Sequence, residues 1–239
     1  MSTLLLRLAG PMQSWGVDSQ YDIRFTGRDP SKSGVIGLLC AALGKPRQEA
    51  VGDGFPPLGE LAAMRMGVRV DRPGRVERDY QTVGGSHRRG EHYGVALAGG
   101  GIGSTVVSPR YYLADANFLV GLEGEEVFLE RLQRALQAPV WPLFLGRKSC
   151  VPGLPVWLPD EPPLGPAFRP ASLEDVLAAY PWHDDGRNEA RPESLRLVIE
   201  TESGEATEVR PDVPLSFAER RFTSRAVKTR FIETPVGGV

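Results

Sequence analysis

The chain is poor in the side chains that carry most enzyme chemistry, with three histidines and two cysteines in 239 residues. Cys40 sits inside an apolar helical pattern and Cys150 in a loop, so neither a disulfide framework nor a thiolate metal site is indicated. No apolar run approaches the ~20 residues of a membrane helix, and the start of the chain has neither a basic stretch nor a small-residue cleavage site. This reading places the protein in the cytoplasm, away from membranes. No HExxH, CxxC, Ser/His/Asp order or strand-to-helix GxGxxG occurs. A net charge of −2 excludes a surface that is basic everywhere.

The charge is nevertheless segregated. Residues 65–90 carry seven cations against three acids, residues 219–231 five against one, and residues 184–208 eight acids against three arginines. Such blocks present a basic face to one partner and an acidic face elsewhere. The alternative is ordinary solvated surface. With 41% hydrophobic residues, the chain can build a substantial core.

The most informative stretch lies near the start. Residues 4–9 (LLLRLA) form a continuous apolar run, which reads as a buried strand. Gly10, Pro11, Gln13, Ser14, Trp15 and Gly16 break it into a loop, and residues 21–27 give a second short stretch containing Arg24. A helix follows, with Asp29 as cap, Pro30 at its first position, and Val35, Leu38, Leu39 and Ala42 at helical spacing. Gly44 and Pro46 stop it. Lys32 in its first turn opposes the positive end of the helix dipole. A bound anion would remove that conflict, so Ser31, Lys32, Ser33 and Gly34 are candidates for a phosphate cradle. The alternative is a solvated lysine that binds nothing.

Further on, residues 57–64 read as a short helical turn and residues 64–70 as an alternating strand. Two extended arms, 76–83 and 104–113, flank a segment with eight glycines between residues 84 and 104. This pattern predicts a long irregular hairpin. Residues 117–122 read as a strand and 125–137 as an amphipathic helix with Val127, Phe128, Leu132 and Leu136 on its stripe. The order is that of a split βαβ, ferredoxin-like body, with a fourth strand expected at 141–145 or 154–158. Gly146, Arg147, Lys148 and Ser149 form a basic turn without P-loop spacing. Residues 172–180 predict a helix capped by Ser172, and residues 194–201, 215–222 and 227–232 predict strands of a small, mainly β region beyond a proline-rich boundary at 152–170. Arg220, Arg221, Arg225, Lys228 and Arg230 should lie along one side of it.

Of the histidines, His87 and His92 fall in the glycine-rich tip beside Arg88 and Arg89. The cluster fits RNA cleavage in composition, but a flexible setting preorganises nothing, so binding is the better reading. His183, with Asp184 and Asp185, is a surface loop rather than a metal site. Aromatic residues near cations, including Trp15, Tyr21, Tyr80, Tyr93, Tyr111 and Tyr112, suit single-stranded RNA, where rings stack on bases and cations hold phosphates.

Several of these segments together resemble a known family. LRLAGPMQSWG at 6–16, TGRDPSKSGVIGLLCAALG at 26–44, RDYQTVGG at 78–85, PRYYLADANFLVGL at 109–122 and LGRKSC at 145–150 look like the CasD family of type I-E CRISPR Cascade subunits, within the repeat-associated mysterious protein (RAMP) superfamily. The resemblance runs in register through the first 150 residues and weakens afterwards. It implies an α+β, ferredoxin-like (RRM-like) RAMP domain over 1–150 with a β-hairpin thumb at about 73–113, and a small mainly β C-terminal region over 151–239. It also implies a non-catalytic, cofactor-free subunit that holds the 5′ handle of the CRISPR RNA (crRNA) and caps the filament of backbone subunits (CasC). That subunit touches the large subunit (CasA) and meets target DNA only through the complex.

The implied RNA contacts are Gln13, Ser14 and Trp15 in the first loop, with Arg24 and Arg28 after it. Lys32 and Ser33 on the helix, Arg110 and Tyr111 on the thumb's returning arm, and Arg147, Lys148 and Ser149 in the glycine-rich loop complete the implied set; Arg88 and Arg89 join the candidates as basic residues of the thumb tip, where the chain has its own composition. A sister family in type I-C systems cuts repeat RNA with a tyrosine, a lysine and a histidine. This chain has no tyrosine in its first helix and no Lys-His pair, which leaves metal-independent endoribonuclease activity as the alternative. A purely structural assembly subunit is a third reading.

Overall fold

Burial along the first strand, β1 (Ser2–Ala9), is complete except at Arg7, as an uninterrupted apolar run requires of a strand covered on both faces. The computed structural model describes residues 1–16, 19–20, 22–50, 52–84, 94–160, 165–184 and 190–235. After β1 come three two-residue strands, β2 (Met12–Gln13), β3 (Ser19–Gln20) and β4 (Ile23–Arg24), and then α1 (Lys32–Leu43) and α2 (Leu58–Ala63). Next are β5 (Arg65–Arg72), the hairpin β6 (Arg75–Val83) and β7 (Val106–Ala114), β8 (Asn117–Gly124) and α3 (Glu126–Gln137). The rest comprises β9 (Phe168–Arg169), α4 (Leu173–Ala179), β10 (Ser194–Glu200), β11 (Glu208–Ser216) and β12 (Arg221–Glu233).

The strands form two sheets. The larger has seven, in the order β11-β12-β10-β5-β8-β1-β9, with every pairing antiparallel. Because β10 pairs with β5, the C-terminal strands extend the same sheet as β1 and β8. Gly121 would meet leucines of α4 with an added Cβ, whereas Gly124 would meet Leu129 of α3. Three residues apart on one strand, these two glycines point to opposite faces, so α3 and α4 cover opposite sides of the sheet. The smaller sheet joins β2, β7, β4 and β3, with β6 also pairing β7. Register runs from Arg75↔Ala114 to Val83↔Val106, and no residue of β6 is buried.

Local signals and structure agree at several boundaries. Gly44 ends α1 at φ 73°, a left-handed position that costs glycine nothing. Ser172 caps α4 by accepting from the Asp175 N–H at 3.2 Å. Three expectations need correction. The cap of α1 is Ser31, which accepts from the Gly34 N–H at 3.3 Å, while Asp29 is buried and pairs with Arg196 and Arg210. On α3, Val127 is 67% exposed and Leu129 takes its place in the core. Neither 141–145 nor 154–158 is a strand: β9 pairs with β1, and Trp157 forms only an isolated bridge to Leu6. Pro142 in the first segment and Pro155 and Pro159 at the second explain this, because proline has no N–H to give to a ladder.

Gly67 and Gly121 are partners in β5 and β8, and a Cβ on either would stand 2.6 Å from Leu177 or Leu173 of α4. The pair forms the notch in which α4 sits. Gly121→Ala is expected to cost about 1–3 kcal/mol through overpacking, seen as a lower urea midpoint at unchanged slope.

Candidate nucleic-acid interface

The first loop is built inward. Gln13, fully buried, donates from Nε2 to the carbonyls of Leu8 at 2.9 Å and Ala116 at 2.8 Å. Its Oε1 accepts from the Trp15 indole N–H at 3.0 Å. Trp15 is itself buried, and its ring lies against Gly34 of α1, where an added Cβ would come within 2.9 Å of it. Ser14 is also buried and donates from Oγ to the Tyr111 carbonyl at 3.3 Å. Gln13, Ser14 and Trp15 therefore tie β1, β7 and α1 together; the indole is no platform for a base. An uncompensated amide is costly in a core, and this one is compensated on both sides.

Lys32 also turns inward rather than toward a ligand. The side chain is 1% exposed, and its Nζ pairs with both carboxylate oxygens of Glu200 at 3.0 and 2.8 Å. Its backbone N–H donates to Asp212 Oδ2 at 2.8 Å. Asp212 in turn accepts from Arg225 at 2.7 and 3.0 Å, and Arg225 lies 3.6 Å from Glu200. The anion expected at this helix start is thus a carboxylate of the protein's own β11. Burial lowers the pKa of the Lys32 ammonium, and the Glu200 carboxylate opposes that shift. Ser33 is half-buried on the same turn, its Oγ 3.4 Å from that of Ser31.

Four candidates do come together. The short β4 pairs in parallel with β7, which sets Arg24 beside Arg110. Arg147 reaches across from the glycine-rich turn and donates from Nη2 to the carbonyls of Arg24 at 2.8 Å and Phe25 at 3.3 Å. Burial holds the Arg147 guanidinium below its ordinary range, and the charges of Arg110 and Arg24 push the same way. Tyr111 stacks on Phe25 with ring centroids 5.1 Å apart and planes at 21°. The result is three guanidiniums within each other's field beside a pair of stacked rings. Arg110 has no ion pair among the described residues, and its Nε is buried without a hydrogen-bond partner. Like charges so placed favour a bound anion. Lys148 and Ser149 are exposed on the same turn.

The turn is fixed by its neighbours. The Ser14 N–H donates to the Leu145 carbonyl at 3.0 Å, and the Leu145 and Cys150 N–H groups close the loop on the Cys150 and Arg147 carbonyls at 2.7 and 2.9 Å. Burial raises the pKa of the Cys150 thiol, which keeps it protonated and unreactive. Arg28 is exposed. Arg88, Arg89, His87 and His92 lie outside the described residues, and His183 packs edge-on against Tyr180 at 6.1 Å. Sequence reasoning missed Phe25, because its stacking depends on the pairing of a two-residue strand that no periodicity can announce.

Known proteins share this chain's sequence pattern and fold. The family described as CRISPR-associated protein (Cas_Cas5) matches residues 3–228. The chain is 36% identical over 168 residues to the CRISPR system Cascade subunit CasD of Escherichia coli (strain K12), covering 66% of this chain and 70% of that one. A crystal structure of a Cas protein is 41% identical and superposes with a TM-score of 0.71 over 98% of both chains. A chain of a CRISPR RNA-guided surveillance complex, 35% identical, gives a TM-score of 0.71 over 98% of this chain and 91% of its own.

Proposed function

Because the chain belongs to the Cas5 family of CRISPR-associated proteins, we propose that it is a non-catalytic Cascade subunit that holds the 5′ handle of the crRNA and caps the filament of backbone subunits. The observation that carries this reading is the Arg24, Arg110 and Arg147 cluster beside the Phe25–Tyr111 stack. Guanidiniums take phosphate oxygens and rings take unpaired bases, the two groups that single-stranded RNA offers. The adjacent strands β1, β8 and β5 support a ferredoxin-like body within residues 1–150, with the β6–β7 hairpin as its thumb. The C-terminal region, 151–239, buttresses α1 through Asp212, Glu200 and Arg225. The backbone subunit and the large subunit are the protein partners of this reading, and target DNA is reached through them.

Binding rather than cleavage is the reading that the arginines and rings of the cluster support. Cleavage through the 2′-hydroxyl needs a base that titrates near neutrality. The described side chains here are arginines, Lys148, Ser149, two rings and a buried thiol, with Asp79 opposite Arg110 in the hairpin register; His87 and His92 lie outside the described residues. A native gel and a denaturing gel, run on purified protein with repeat-derived RNA in EDTA, should show a shifted but intact RNA. Arg110→Ala and Arg147→Ala should each lower the salt slope of binding by about 0.7 for every single-strand phosphate the variant no longer neutralises. Unchanged slopes in both variants would overturn the reading.

A further inference from the structure

On the other side of the Gly146–Ser149 turn runs a groove of about 1060 Å³, at the upper end of ligand clefts and roomy enough for a length of chain. Its floor is the outer side of α1, where Ser33, Gly34, Gly37 and Ala41 present almost no side chain. One wall is the 141–148 segment, anchored to α1 by the Val140 and Trp141 N–H groups at 3.0 and 3.1 Å from the Ala42 and Ala41 carbonyls. The other wall is the turn between β11 and β12. Among the described residues no acid lines the groove, while Arg47, Lys148 and Arg220 do; Lys45 also lines it but is buried and paired with Glu49 at 2.6 Å. Trp141 and Phe222, each 44% exposed, offer a ring from the two walls.

Arg220 is the informative residue. It holds φ at 55°, a left-handed position where glycine or asparagine would be unstrained. Its neighbour Arg221 is neutralised by Glu219 at 2.5 Å, but Arg220 has no ion pair among the described residues. A strained turn that aims an uncompensated cation into a groove without acids fits a polyanion. Exposed rings on both walls fit one whose bases are unpaired.

We propose that this groove is a second RNA subsite, in which Phe222 and Trp141 stack an unpaired base and Arg220 and Lys148 take the adjoining phosphates. This rests on the reading above that the chain binds handle RNA. It adds the turn between β11 and β12 to the binding surface.

The test uses the full chain and single-stranded RNA of the 5′-handle sequence, with 2-aminopurine at successive positions. At least one position should be quenched on binding, and Phe222→Leu or Trp141→Leu should abolish the quench and weaken binding about tenfold. Gly37→Leu fills the floor from a helical position whose Cβ would lie 3.8 Å from Phe217, and it should weaken binding similarly. Arg220→Gly relieves the strained φ, so it should melt no lower than wild type while its salt slope falls by about 0.7. If affinity depends on Arg147 but not on these four positions, the groove proposal fails alone. If the wild type binds no RNA, both readings fail. If the groove variants bind RNA normally but no longer join the other Cascade subunits, the groove is a protein interface and the proposal is overturned.

Discussion

Asp212→Ala will cost about 3 kcal/mol of stability, because removing one member of a buried ion pair leaves the other charge uncompensated. Asp212 and Arg225 are 3% and 6% exposed, and the same carboxylate receives the first N–H of α1. Its loss therefore leaves a buried guanidinium and a bare helix end together. For a chain of this size the melting temperature should fall by roughly 6–12 °C. Lys32→Ala should likewise act on stability, with the salt slope of RNA binding unchanged, since the ammonium points at Glu200 and not outward. Thermal melts and salt titrations on the two variants separate these effects. A loss below about 1 kcal/mol in Asp212→Ala would mean that the pair does not hold α1 to the sheet.

A comparable loss is expected from a single methyl group at Gly146. Its φ is +92°, and a Cβ there would lie 1.8 Å from the Ser14 carbonyl oxygen. Both clashing parties are backbone, so no rotamer change can relieve the clash, and the turn must leave the first loop. Arg147 would leave with it, releasing the carbonyls of Arg24 and Phe25. Gly146→Ala should thus destabilise by about 3 kcal/mol and weaken RNA binding at least tenfold at temperatures where it remains folded. Gly153→Ala is the control. It lies beyond the far end of the same turn, and its Cβ would meet nothing nearer than 3.3 Å, so its cost should stay below about 1 kcal/mol. Equal melting curves for the two variants would refute the argument from Gly146.

What the sequence could and could not reveal divides along the distance between partners. The stop at Gly44, the Ser172 cap and the unbroken apolar runs of β1 and β8 are local properties, and they were legible as such. Lys32 was legible only as a conflict. A cation in the first turn of a helix demands an anion, but the pattern does not say whether that anion is a ligand or a residue 168 or 180 positions away. The basic segment after Glu219 failed for the same reason. Arg221, Arg225, Lys228 and Arg230 each meet an acid, which counting charges could not foresee. Gln13 and Trp15 sit among turn residues, yet the Gln13 amide is matched by the Leu8 carbonyl of β1 and the Ala116 carbonyl between β7 and β8, and the Trp15 indole by Gln13 itself. Arg24, Arg110 and Arg147 were each identifiable, but their assembly depends on the pairing of β4 with β7.

The order of strands in the large sheet also sets a timetable for synthesis. The outer edge of β5 is covered by β10, whose residues leave the ribosome about 130 positions later, roughly 6–26 s at about 5–20 residues per second. Helices and hairpins form within microseconds, so the nascent chain waits with an open strand edge and an unmatched ammonium at the start of α1. Both gaps close only as β10 emerges, because β10 pairs with β5 and its Glu200 meets the Lys32 ammonium, and a chain cut short before it is a ready substrate for proteolysis and chaperones.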